Sequence, residues 1–129
     1  MHPINIDREA ANTRSLVEIP CNWYMEDMTP LSFLPHTPNS HGYVDIRSLE
    51  QMWKDRFMWL RENGPTDDTE TNDFLFPLIL HPDTSGMPHV IAMIERILTW
   101  VKGWGDEVEF WRYEEIAREY RQTQKKKTS

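Results

Sequence analysis

The feature that most constrains this chain is the run Phe74-Leu75-Phe76-Pro77-Leu78-Ile79-Leu80, which is apolar throughout and stops abruptly at His81-Pro82. Continuous rather than alternating apolarity is the pattern of a strand covered on both faces, as in a parallel sheet. Pro77 has no N–H to give to a ladder, which points to a sheet edge or a bulge. Any fold for this sequence has to bury the run under helices.

The flanking segments supply them. Ser48 followed by Gln51 is a capping-box spacing, and Leu49, Trp53, Phe57 and Leu60 recur at helical intervals up to Gly64. After His81, Pro88 suits a first helical turn, and Ile91, Ile94, Leu98 and Val101 form an apolar stripe ending at Gly103 and Gly105. Ile116, Ala117 and Tyr120 give one apolar face to a last helix over 113–121. Two further β-branched or aromatic runs, 16–20 and 108–111, read as short strands. Strand and helix therefore alternate, which predicts an α/β unit with right-handed crossovers and a mostly parallel sheet. Three strands leave open edges, so the expectation is a unit completed by another copy or a complementary chain.

Length allows one domain at most, with 1–15 an N-terminal segment and 122–129 a polar tail. A net charge of −7 argues against a nucleic-acid surface, which needs clustered cations. Lys125 to Lys127 reads as a solvated end. The single cysteine, Cys21, cannot form an internal disulfide, and no run approaches a membrane span or a secretory leader, which gives a cytoplasmic expectation. The acidic stretch 65–73 reads as an exposed linker. From Cys21 to Val44, prolines and the aromatics Trp23, Tyr24, Phe33 and Tyr43 describe a long ordered loop.

In parallel α/β folds ligands gather beyond the carboxyl ends of strands, the position of His81. An imidazole there titrates near neutral pH and serves as general acid or base if something orients its other nitrogen. Trp23-Tyr24-Met25-Glu26-Asp27 follows the first strand, so Asp27 can fix the tautomer of His81 beside an aromatic wall; packing and loop-capping roles for Trp23 and Asp27 fit the spacing as well. His36 and His41 share a loop, but two imidazoles are too few for a metal site, and turn formation accounts for their setting.

Taken together, Leu16-Val17-Glu18-Ile19-Pro20 with Trp23-Tyr24-Met25-Glu26-Asp27, Leu78-Ile79-Leu80-His81-Pro82 with Gly86, and Phe110-Trp111 with Glu115-Ile116-Ala117 resemble the C-terminal half of polysaccharide deacetylases of the NodB-homology class. The likeness is to the branch of peptidoglycan deacetylase-like proteins and metal-independent allantoinase, it covers about 16–121, and the loop from Asp27 to Val44 looks like fungal versions. The resemblance implies three strand–helix units of a seven-stranded (β/α) barrel that removes N-acetyl groups from amino sugars. It implies a divalent metal such as zinc, held by an aspartate and two histidines of the N-terminal half. Carried over by residue, His81 is the general acid, Asp27 tunes it, Leu80 lines the acetyl pocket, and Trp23, with Tyr24 beside it, forms the substrate wall.

The sequence holds no Thr-Phe-Asp-Asp segment and no His-x-x-x-His pair, and the spacing of His36 and His41 is one residue too long to replace it. No metal ligand or base is therefore expected within this chain. Three readings follow: a truncated deacetylase relative inactive alone, a portion of an active deacetylase completed by another chain, or a small-molecule module reusing the pocket of Trp23 and His81 for different chemistry.

Overall fold

The computed structural model describes residues 16–37, 42–64 and 74–127, with the side chains of 125–127 left aside. Five α-helices are present among them: α1 (Met28–Leu31), α2 (Ile46–Asn63), α3 (Pro82–Ser85), α4 (Pro88–Lys102) and α5 (Tyr113–Lys127). Short 3-10 turns cover Trp23–Met25 and Gly105–Glu107. The described residues fall into two compact units, one within 21–108 and one formed by 16–20 with 109–127.

The expected α/β architecture is not what forms. The described residues contain no strand and no sheet, and their one β contact is an isolated parallel bridge between Glu26 and Ile79. A strand exists by its ladder, and this bridge has a single backbone bond, from Ile79 N–H to the Met25 carbonyl at 2.9 Å. Pro77 can donate nothing two residues earlier, and the segments 16–20 and 108–111 carry no ladder at all. The partial barrel is therefore overturned. The apolarity of 74–80 serves another purpose: Phe74, Phe76 and Leu78 pack onto a helical core.

That core lies between α2 and α4. Leu49, Trp53 and Phe57 of α2 meet Val90, Met93, Ile97 and Val101 of α4, with Met25 joining from the turn before α1. Phe57 sits at its centre, with Phe74, Phe76 and Trp100 arranged edge-on at centroid distances of 5.7, 5.4 and 5.2 Å, the geometry aromatic quadrupoles favour. Glu50 ties the two helices together at their rim. It accepts from Lys54 Nζ at 2.7 Å and from Arg96 Nε and Nη2 at 2.8 and 2.6 Å, and these partners hold its carboxyl below the usual range.

Helix boundaries and buried faces follow local chemistry, with three shifts from the sequence reading. α2 starts at Ile46, capped by Asp45, whose Oδ1 accepts from Arg47 N–H at 2.8 Å, so Ser48 lies inside the helix. The buried face of α4 is Val90, Met93, Ile97 and Val101, one position round from the expected stripe, leaving Ile91 and Leu98 exposed. In the other unit, α5 runs on through Lys127 rather than ending at Arg121. Glu115 secures its start by accepting from Arg112 N–H at 2.8 Å, the returning half of a capping box. The acidic linker 65–73 and His41 fall outside the described residues.

Candidate functional site

Two short segments 54 residues apart in sequence build the site. The first leaves the Trp23–Met25 turn as Glu26-Asp27 and enters α1; the second leaves Ile79 as Leu80-His81 and enters α3. The Ile79 to Met25 backbone bond sets their register. Trp53, fully buried on α2, anchors the first segment from below by donating its indole N–H to the Tyr24 carbonyl at 3.0 Å.

Asp27 is wholly buried. Its Oδ1 accepts from the His81 backbone N–H at 3.0 Å and lies 2.8 Å from His81 Nδ1. Its Oδ2 accepts from the Thr84 hydroxyl at 2.8 Å and from the Ser85 hydroxyl. Burial alone would push this carboxyl up, but the hydrogen bonds from Ser85, His81 and Thr84 outweigh it and hold Asp27 below the ordinary carboxylate value. Asp27 is thus an anion, and an anion can only accept. Nδ1 of His81 must therefore carry the proton between them, which leaves Nε2 as the nitrogen able to exchange one.

His81 is drawn the other way. The hydrogen bond to Asp27 raises its pKa against a smaller opposing effect of burial, with further attraction from the charges of Asp27, Glu26 and Asp83. Its side chain is about one third exposed, at 32%. A partly accessible imidazole, fixed through Nδ1 by a buried carboxylate, is equipped to donate a proton from Nε2 and to retrieve one.

The remaining candidates are placed differently. Trp23 and Tyr24 present their rings to solvent, 81% and 64% exposed, and the Arg56 guanidinium stands over the Tyr24 ring at 5.5 Å. Leu80, next to His81, is 41% exposed. His36 is exposed.

Glu26 was given no role of its own in the sequence reading, yet it is buried and its Oε2 lies 3.6 Å from His81 Nδ1. Its oxygens cap α1, accepting from Met28 N–H at 2.8 Å and Thr29 N–H at 2.9 Å. Thr84 and Ser85 were also passed over. Their spacing was informative, because Pro82 opens a helical turn that carries residues three and four beyond His81 back toward it.

Glu26, Asp27 and His81 each offer a donor atom within 4.8 Å of the others, which raises the question of a metal. In this arrangement the donor atoms are already engaged, so a metal would have to displace those hydrogen bonds and the Nδ1 proton. Both Glu26 oxygens are engaged by the start of α1, both Asp27 oxygens by four donors, and Nδ1 holds a proton rather than a free lone pair.

The chain is 61% identical over 106 residues to a peptidoglycan deacetylase-like protein of Gibberella zeae, a match covering 82% of this chain and 31% of that protein. It is 40% identical over 83 residues to the peptidoglycan deacetylase of Helicobacter pylori, covering 64% of this chain and 26% of that protein. The chain spans about a third or less of the length of these curated relatives. No family model matches it.

Proposed function

The chain is a relative of the polysaccharide deacetylases, matching part of their length, and from that premise we propose that its Asp27–His81 pair is the proton-donating limb of an amide-cleaving site. The observation that carries this reading is the buried Asp27 carboxylate, which grips His81 through both main chain and ring and leaves only Nε2 to act.

In the cleavage of an N-acetyl group, water adds to the amide carbon and the C–N bond of the resulting tetrahedral species then breaks. The departing nitrogen needs a proton as that bond breaks. Protonated His81 delivers it from Nε2 and is left neutral with its proton on Nδ1; Asp27 stays ionised throughout and stabilises the charged ring beforehand. Holding Nδ1 fixed means no reorientation accompanies transfer. The water-activating step calls for a base and an electrophile that neither the residue motifs of this chain nor the Glu26, Asp27 and His81 set provides. The chain therefore contributes the acid half of the chemistry and is inactive by itself.

The test pairs turnover with contact. The 129-residue chain is mixed with an N-acetylglucosamine oligomer, with and without zinc, while free amine is assayed and the His81 ring is followed by NMR. The expectation is no amine release above a His81→Ala control, together with a shift of the His81 ring signals as the sugar is added. Amine release that depends on His81 would show a complete enzyme and refute inactivity; unmoved ring signals at millimolar sugar would remove the amino-sugar reading and favour a module for another small molecule.

A further inference from the structure

The two oxygens of the Asp27 carboxylate have separate partners. Among the described residues, Oδ1 meets His81, through its backbone N–H at 3.0 Å and Nδ1 at 2.8 Å. Oδ2 meets α3, through the hydroxyls of Thr84 at 2.8 Å and Ser85. The turn that begins at Pro82 makes this possible: Thr84 and Ser85 N–H groups donate to the His81 carbonyl at 3.0 and 2.7 Å, so both hydroxyls fold back beneath the histidine that precedes them. The Thr84 hydroxyl also has the His81 carbonyl within 3.1 Å, an alternative acceptor that Ser85 lacks.

A carboxylate has one negative charge to share among its donors. Each hydroxyl on Oδ2 draws on that charge, and less of it remains on Oδ1 to hold a protonated imidazole. With the hydroxyls removed, His81 would face a more basic carboxylate and would surrender its proton less readily. We propose that Thr84 and Ser85 are positioning residues of the Asp27–His81 pair: they occupy Oδ2, commit Oδ1 to the histidine, and by sharing the carboxylate's charge keep the Nε2 proton transferable. This rests on His81 being the acid, but its test uses no turnover. The other charges facing His81 are Glu26 on the first segment and Asp83 on α3, and both stay unchanged in the variants below.

The imidazole of His81 is titrated by NMR in the full chain, its signals identified by their loss in His81→Ala. In Ser85→Ala and in the near-isosteric Thr84→Val, the midpoint moves up from that of the unaltered protein. In Ser85→Thr and Thr84→Ser, which keep a hydroxyl, it remains where it was. Ser85 is only half-buried, so Ser85→Ala decides the matter if Thr84→Val fails to fold. A midpoint that stays or falls in folded Ser85→Ala overturns the inference. An unmoved midpoint with His81 still responding to the sugar removes this inference and spares the amide-cleaving reading; a raised midpoint with no response to the sugar does the reverse.

Discussion

The indole N–H of Trp53 donates to the carbonyl of Tyr24 at 3.0 Å, so a residue in the middle of the helical core supports the turn from which Asp27 emerges. Trp53→Phe loses the donor, leaving a partly buried carbonyl without it, and empties the space of the five-membered part of a fully buried ring. A loss of about 1–3 kcal/mol in unfolding free energy by urea titration is expected. Unchanged stability would mean that the turn is held by its other contacts alone.

Phe57 provides a measure of how much the aromatic cluster contributes. Its ring is buried and touches Phe74, Phe76, Trp100 and Trp104. Phe57→Ala should cost about 3–5 kcal/mol, the range for emptying a large aromatic site that can collapse only partly. Trp59, two residues on but 61% exposed, serves as the contrast: Trp59→Ala should stay within about 0.5 kcal/mol of the unaltered protein in the same denaturation experiment.

Gly42 has φ of +56°, and a Cβ placed there would come within 2.8 Å of the Phe33 Cβ. Gly42→Ala therefore combines left-handed strain, about 1–2 kcal/mol, with a clash against an atom next to the backbone. Thermal unfolding should show a lowered midpoint, whereas alanine at the exposed Gly105, which also has positive φ but open space around it, should lower it less.

Stability should peak in a bounded pH window. Asp27 has a folded pKa below its ordinary 3.8, so the stability it contributes is in place above that ordinary value and is lost as pH falls through the folded one. His81 has a folded pKa above its ordinary 6.5, so its contribution is complete below that value and is lost as pH rises through the folded one. The melting temperature should be highest between these limits. In His81→Ala the alkaline decline attributable to this pair disappears while acid sensitivity from Asp27 persists; Asp27→Asn removes both. A profile for His81→Ala that matches the unaltered protein on the alkaline side would refute the assignment.

Much of this was legible in the residues, and the losses have physical causes. The end of α2 at Gly64 and the start of α4 at Pro88 followed from local rules, because glycine and proline act on the backbone they belong to. The 74–80 run was misread as a strand because apolarity reports burial, not pairing, and a ladder depends on a neighbour that no local pattern supplies. His81 and Asp27 were singled out together, and the structure brings them to 2.8 Å. Glu26, Thr84 and Ser85 were missed because their roles depend on side-chain direction: Glu26 points back at the start of α1, and Thr84 and Ser85 point at Asp27 across the fold, which spacing alone does not reveal until the turns are known.

The carboxylate of Asp27 closes a loop of 54 residues onto a single histidine. Drawing such distant segments together costs chain entropy that the contacts at the junction must offset, and here those contacts centre on one buried anion. The same group that would orient a proton donor is also the clasp that fastens the segment before α1 to the segment before α3. Substitution at Asp27 consequently cannot be read as a change in reactivity alone, since any variant that loosens the clasp alters how often the histidine has a partner at all.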